Sequence, residues 1–335
     1  RTYKENNLAR VAAVKAGLPV TVPGITIHRN CTSSMSAIQM GFYQIRAGEA
    51  ECIMAGGSDS MSTAPHMVFN ARYGQKYGHM EMRDSMWDSL TNLGVGPAMG
   101  ITAENVADKY DITREQMDAY SLRSQQRAVA AIDAGRFEEE IIPVTVKSRK
   151  SETVYTVDEY PKRNATLEGL QKLKPAFKEG GKVTAGNASG MNDASSGVIL
   201  MSEEKAKELG CPIMAKVVSV ATTGVEPELM GIGPISSTKK ALEKAGLTVD
   251  DIDLFEINEA FSSQCLACQK ELGVPDEKLN VNGGGISLGH PVGATGSRIV
   301  ITLMYELKRR KQRYGVATLC AGGGMGTTVV IEMCE

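Results

Sequence analysis

Four side chains in this sequence could share one piece of chemistry: Cys31, His290, Cys320 and Asn258. Cys31 sits in "TIHRNCTSSMSAIQ", where a short β-branched run gives way to a helical one. Aligned peptide dipoles place partial positive charge at a helix N-terminus, which lowers a cysteine's pKa and favours the nucleophilic thiolate. The plain alternative is a small buried cysteine with no reactivity. His290 lies in "GHPVGATG", between Gly289 and Pro291, in a glycine-rich loop that opens a helix. It is either a base or a loop histidine bonded to backbone. Cys320 in "LCAGGGMG" ends a strand ahead of three glycines. Their N–H groups are free to aim at an oxyanion, or the glycines simply make a hairpin turn. Asn258 in "EINEAF" stands where a strand ends and a helix begins, and as a helix cap it would need no further role. Together the four supply a thiol nucleophile, a histidine to take its proton, a second thiol as acid or base, and amides for an oxyanion. That set fits acyl transfer through a covalent thioester.

These residues need a frame, and composition bounds it. The chain has 335 residues, 42% hydrophobic and 23% charged, with a formal net charge of −2. It reads as a soluble globular protein large enough for two domains or one big α/β body. Scattered Lys and Arg near neutral balance argue against nucleic acid as the main ligand. No run is long and apolar enough to span a bilayer, so no membrane role is expected. Seven cysteines are an odd number without the spacing of a secreted scaffold. They read as reduced thiols in a cytoplasmic protein. The chain starts at Arg1 with "NNLARVAAVKAGLP" as a helix, so it reads as beginning inside a domain, with N-terminal targeting left open.

The elements around the four residues follow one plan, used twice. Ile25 and Ile27 predict a short strand ahead of Cys31. Met35, Ile38, Phe42 and Ile45 step by 3, 4 and 3, which predicts a helix ended near Gly48. "ECIMAGG" predicts a buried strand. Near the other end "LNVNGGG" predicts a strand, "ISLGHPVGATG" a loop, and "SRIVITLMYELKRR" a helix. "GVATLCAGGGMGTTVVIEM" predicts two strands about a glycine turn. Two similar halves facing each other would bring the two reactive loops together. Between them, Thr113 and Gln116 form a capping box for a helix that Gly135 stops. The charged stretch 147–182, with Pro161 and Pro175, reads as an exposed excursion.

The sequence resembles the thiolases over essentially its whole length. The motifs that carry the resemblance, in order, are "CTSSM", "AGGSDSMS", "MGITAENVA", "AGNASGMNDAS", "NEAF", "GGGISLGHPVGATG" and "CAGGGMG". The resemblance implies duplicated α/β halves layered α-β-α-β-α, with an inserted loop domain. The N-terminal half would be residues 1–63 and 193–213, the loop domain 64–192 and the C-terminal half 214–335. The family's first strand–helix–strand unit is not in this sequence, so that half is incomplete at its start and the unit is left to a separate segment. A homodimer or homotetramer is implied, as are acyl-CoA substrates, with coenzyme A as substrate or product and no tightly bound cofactor.

Carried over by motif, Cys31 matches the acylated nucleophile and His290 the histidine that activates it. Cys320 matches the cysteine that moves a proton at the α-carbon of the second acyl-CoA. Asn258 matches the residue that holds a water, which with His290 makes one oxyanion hole. The amides of Cys31 and Gly322 match the other. Ser189 and the surroundings of Met99 match the surface for the pantetheine arm. Phe177, Met230, Ala260 and Phe261 match the tunnel walls. Coenzyme A is anionic, so Lys162 and Arg163 are candidates beside its phosphates, with a solvated charged loop as the alternative. His28, Ser34 and Ala98 depart from the family's pattern and bear on substrate choice.

The implied activity is a reversible Claisen condensation of two acetyl-CoA to acetoacetyl-CoA, or thiolysis of short 3-ketoacyl-CoA. A decarboxylating condensing enzyme of the ketoacyl synthase kind would lack the second cysteine. A non-catalytic acyl-CoA-binding relative would not need Cys31, His290 and Cys320 intact. Cys265 and Cys268 form a CxxC on the helix after "NEAF" and read as packing rather than as a metal or redox site. Cys52 and Cys211 read as structural, and Cys334 as exposed. His66 and His79 read as part of a loop packed on a neighbouring subunit.

Overall fold

The structure, a computed structural model, describes residues 5–334. It opens with α1 (Leu8–Lys15), α2 (Ser33–Arg46) and β1 (Cys52–Asp59). The next stretch holds β2 (His66–Val68), β3 (Met82–Asp84), α3 (Ser85–Thr91), α4 (Met99–Lys109) and α5 (Arg114–Asp133). It continues through β4 (Val144–Lys147), β5 (Glu152–Tyr155) and α6 (Leu167–Gln171) to β6 (Ala194–Met201) and α7 (Glu203–Glu208). The remainder is β7 (Ala215–Gly224), α8 (Gly233–Ala245), β8 (Leu254–Ile257), α9 (Ser262–Leu272) and α10 (Gly285–Leu288), then α11 (Thr295–Arg310), β9 (Tyr314–Ala321) and β10 (Met325–Met333).

The larger sheet has the order β7-β10-β9-β8, with β8 parallel to β9 and the other pairs antiparallel. Helix α8 covers one face of it, while α11 packs on the other. Helix α2 lies beside α11, and the antiparallel pair β1-β6 closes the far side of both. The described layers are therefore helix, sheet, helix pair and sheet. The α2–α11 layer holds a shared core of Met35, Ile38, Ile299, Leu303 and Leu307. The 3- and 4-residue steps read from the sequence place those side chains on the inner faces.

Three expectations are corrected. Residues 23–28, around Ile25 and Ile27, form no strand: no described strand pairs with them, and Ile25 is exposed. Strand β1 forms, but it is not buried. It has β6 as its one described neighbour, and Met54 on its outer face is 75% exposed. Cys52 is therefore exposed rather than a core cysteine, and so is Cys211. "LNVNGGG" forms no strand either. Asn280 adopts a left-handed φ of 45°, and its side chain serves the sheet edge in place of a ladder. Its Oδ1 accepts the Ile257 N–H at 2.8 Å and its Nδ2 donates to the Ile257 carbonyl at 2.8 Å. A side-chain amide carries a donor and an acceptor, which is what one residue of ladder supplies.

Cys334 is exposed and the Cys265–Cys268 pair packs in the core, both as read. Cys265 and Cys268 are buried in α9, within hydrogen-bonding reach of backbone carbonyls. All seven cysteines are free. Helix α5 starts on the Thr113–Gln116 capping box. Its buried Asp118 pairs with Arg114 and accepts from the Asn187 amide at 3.1 Å. Buried Glu104 on α4 accepts the Lys182 and Val183 backbone N–H groups. Those two carboxylates fix the returning "KVTAGNASG" chain against the helices. No described helix is long and apolar enough to cross a membrane.

Candidate active site

Cys31 lies two residues ahead of α2, next to the cap residue Thr32. Asn30 before it has a φ of 47°, a conformation that Asn tolerates better than most residues. The Asn30 backbone N–H donates to His28 Nδ1 at 3.2 Å, and its side-chain amide donates to the Gly322 carbonyl at 2.8 Å. Facing this turn, β9 ends and the chain reverses into β10. Gly323 and Gly324 take φ values of 91° and 83° there, which only glycine enters without strain. The reversal sets the Gly322 N–H against the Cys31 sulfur. Ser34, one of the departures from the family's pattern, accepts the Ser297 N–H at 3.0 Å and so ties the start of α2 to that of α11.

The sequence predicted a thiolate at Cys31, and the structure corrects this. Burial pushes the thiol from 9.0 up to about 11, while the Gly322 and Cys31 amides pull the other way and lose. A helix terminus is worth about 0.3–1 kcal/mol, less than the 1.36 kcal/mol of a single pKa unit. Part of the Cys31 surface stays open, so reagents can still reach it. Cys320 is fully buried, and burial followed by the neighbouring Cys31 and Cys268 sulfurs pushes its thiol well above the usual range. Both sulfurs therefore rest protonated at neutral pH. Iodoacetamide should label the exposed Cys52, Cys211 and Cys334 first at pH 7. Labelling of Cys31 should rise about tenfold per pH unit toward pH 9, following its thiolate fraction, and acetyl-CoA should protect it. Fast labelling of Cys31 that is flat between pH 6 and 8 would show a resting thiolate.

His290 is 6% exposed. Its Nδ1 lies 2.6 Å from Thr295 Oγ1, which is 2.8 Å from the Pro291 carbonyl. The hydroxyl has one hydrogen and gives it to the carbonyl, so it accepts from Nδ1–H and leaves Nε2 with the lone pair. The Asn258 amide nitrogen sits 3.4 Å from Nε2 and 3.5 Å from Nδ1. Asn258 Oδ1 is buried without a partner among the described residues. Burial, then the charge of Arg298, pushes the imidazole down to about 4. It is thus a neutral base across the physiological range. Between pH 6.5 and 4 the unfolded chain binds a proton that the folded site refuses, so His290 makes stability fall as pH falls through that window. For catalysis, the acid limb of kcat/KM for acyl transfer should lie near pH 4–5. A limb at the ordinary histidine value, near 6.5, would contradict the buried neutral ring.

Most of the proposed wall residues gather around Cys320. Met99, Met230, Ala260, Phe261 and Cys320 belong to one buried cluster, with Ala188 and Leu93 packed against it. Phe177 is 40% exposed and meets Phe261 edge to face at 6.3 Å. The Ser189 amide donates to the Ala260 carbonyl at 2.9 Å, and Ala188 makes a single antiparallel bridge to Phe261, so "GNASG" lies along "NEAF". Gln264 holds that turn, accepting the Phe261 N–H and donating to the Asn258 carbonyl. The two basic candidates part company. The Lys162 amine lies 5.7 Å over the Tyr160 ring, which packs on Gly190 beside Ser189. Arg163 pairs with Asp133 on α5 at 2.8 Å. Two contributors escaped the sequence reading: Thr295, which sets the histidine tautomer, and Asn30, which joins the two cysteine turns. Asn30 had one visible signal, an Asn placed directly before a turn-borne cysteine.

Comparison with known proteins gives a consistent family. The model for the thiolase N-terminal domain matches residues 1–204, and that for the thiolase C-terminal domain matches 211–333. An acetyl-CoA acetyltransferase of Syntrophomonas wolfei is 51% identical over 331 residues, covering 97% of this chain and 83% of the relative. One from Pseudomonas aeruginosa is 50% identical with the same coverage. The crystal structure of the Bacillus anthracis acetyl-CoA acetyltransferase superposes with a TM-score of 0.97 at 48% identity, covering 100% of this chain and 85% of that one. Human mitochondrial 3-ketoacyl-CoA thiolase in complex with CoA gives 0.95 at 45% identity, covering 98% and 82%. With both domain models and relatives of this identity spanning nearly all of it, the chain belongs to the thiolase family.

Proposed function

We propose that the protein is an acetyl-CoA C-acetyltransferase, which condenses two acetyl-CoA into acetoacetyl-CoA and CoA and runs the thiolysis in reverse. The observation that carries the reading is the meeting of Cys31, the Gly322 amide and Cys320 at one point of the fold. In the first half-reaction Cys31 Sγ attacks the acetyl carbonyl, His290 Nε2 takes the thiol proton, and the CoA sulfur leaves and receives it. Neutral His290 is suited to that, because its Nε2 carries no proton at rest. The Cys31 and Gly322 amides serve the carbonyl oxygen of the acetylated cysteine. In the second half-reaction Cys320, a thiol at rest, first gives its proton to His290 Nε2 and then, as thiolate, takes a proton from the α-carbon of the incoming acetyl-CoA. The carbanion attacks the acetyl-enzyme, the new carbon–carbon bond forms, and the Cys31–carbonyl bond breaks. The Asn258-held water and the Nε2–H that His290 has gained stabilise the enolate oxygen, and that proton then passes to the Cys31 sulfur as it leaves.

Residues 64–192 are proposed as the loop domain that receives the pantetheine arm, with Ser189 and Met99 beside it and Lys162 and Arg163 as the candidates beside the CoA phosphates. No cofactor is proposed beyond CoA itself as substrate and product. A homodimer or homotetramer is proposed as the working unit. The seven free thiols suit a reducing compartment, and the cytoplasm is the one proposed.

The test is thiolysis: acetoacetyl-CoA should lose its enolate absorbance when CoA and protein are both present. Tight binding of acyl-CoA with no turnover would favour the non-catalytic reading, and CO2 release from a malonyl thioester the decarboxylating one. Substrates are expected to be short, because Met230, Phe177 and Phe261 crowd the acyl end and each methylene matters by about 1 kcal/mol. Across 3-ketoacyl-CoA of four to eight carbons kcat/KM should fall; a steady rise would show an open tunnel.

A further inference from the structure

Glu259 stands between Asn258 and Ala260 in the turn from β8 to α9. It is 1% exposed, and no ion pair reaches its carboxylate among the described residues. Four neutral donors hold it instead. Oε1 accepts from Tyr120 Oη at 3.0 Å and from Asn280 Nδ2 at 3.1 Å. Oε2 accepts from Ser124 Oγ at 2.6 Å and from the Ile286 N–H at 3.1 Å. The donors come from α5, from the chain after β8's partner loop at Asn280, and from α10, which leads within four residues to His290.

The glycine run "NGGGISLGH" follows from this packing. A Cβ on Gly284 would lie 2.5 Å from Glu259 Cδ. One on Gly285 would lie 2.8 Å from the Glu259 carbonyl and 2.9 Å from Asn258 Oδ1. The His290 loop therefore rests directly on the Asn258–Glu259 backbone and on the carboxylate, with no side chain between. Burying a carboxylate without a cation is costly, and it persists only where all its lone pairs are engaged.

We propose that Glu259 is a positioning residue for catalysis. It locks the Asn258 turn to the His290 loop, and so sets the spacing between the Asn258 amide and the imidazole that their shared oxyanion requires. The inference rests on the roles assigned above to Asn258 and His290. Substitution chemistry makes it testable. The amide in Glu259→Gln can turn two ways. One points its NH2 at Asn280 Nδ2 and the other at the Ile286 N–H, and neither of those groups can accept. The hydroxyls of Tyr120 and Ser124 can rotate to accept, so the damage falls on the two strands of the clamp. Ser124→Ala removes one donor and leaves the rest.

The experiment measures condensation by the parent, Asn258→Ala, Glu259→Gln, Ser124→Ala and the two doubles with Asn258→Ala. Glu259→Gln should lower kcat about 10²-fold, the scale of a roughly 1 Å misplacement, with KM changed less than about threefold. On the Asn258→Ala background the same substitution should cost less than about threefold, because the contact it protects is already gone. Ser124→Ala should show the same pattern at smaller size, and it decides the matter if Glu259→Gln does not fold. Losses that multiply through the Asn258→Ala background, or an unchanged kcat, overturn the positioning role. An Asn258→Ala variant as active as the parent overturns the underlying assignment instead, and the inference with it.

Discussion

Replacing Cys31 with alanine should abolish the acetyl-enzyme and cost about 10⁶-fold in turnover, the scale reached when a covalent mechanism loses its nucleophile. The physical basis is that nothing else near the site can take its place. Cys320 is the neighbouring sulfur, but it is fully buried and its pKa is raised further by Cys31 itself. Removing Cys31 lifts that one influence and leaves the larger one, burial, in force. Intact-mass measurement after brief exposure to acetyl-CoA reads the result directly: one added acetyl group on the parent, none on Cys31→Ala. The substitution is mild structurally. Asn30 still reaches the Gly322 carbonyl through its own side chain, and Thr32 and Ser33 still bond back to Arg29 and Asn30. An acetyl group found on any other residue of the variant would sink the nucleophile assignment.

Replacing Cys320 with alanine should divide the reaction. Acetylation from acetyl-CoA needs no carbanion, so Cys31 should still be acetylated at close to the parent rate. Acetylation from acetoacetyl-CoA breaks a carbon–carbon bond and leaves a carbanion on the departing acetyl-CoA. Resting as a thiol, Cys320 is ready to protonate it, and condensation runs that step backward. Both carbon–carbon steps should therefore slow by about 10²–10⁴-fold, the range for a positioned acid or base. Rapid mixing of each variant with the two donors, read by mass, separates the effects. Equal slowing with both donors would mean that Cys320 shapes the pocket rather than moves a proton. Unimpaired condensation would remove it from the mechanism altogether.

Much of the candidate site could be proposed from the sequence because the chemistry needs rare residue types in fixed local settings. Cys31 before a helical run, His290 and Cys320 in glycine-rich turns, and Asn258 at a strand end are all statements about a few neighbouring residues. The same holds for the capping box that starts α5 and the apolar steps that face α2 and α11 inward, since cap and period act within a turn or two. The CxxC in α9 was legible as packing for that reason.

What tertiary structure decided were quantities set by distant partners. The dipole at Cys31 is local, but the burial that outweighs it is set by tertiary packing, in which Asn30 beside it meets Gly322 from 292 positions away. "LNVNGGG" has the composition of a strand, yet the Asn280 side chain takes the hydrogen bonds that a strand would have made. Strand β1 reads as buried, yet burial depends on which elements cover its outer face, and Met54 there is exposed. Thr295 and Glu259 carry no local mark of their roles. Each becomes meaningful only when the folded chain brings a particular donor to a particular acceptor, because a hydrogen bond is fixed by geometry within about 3 Å and no periodicity in the sequence encodes that.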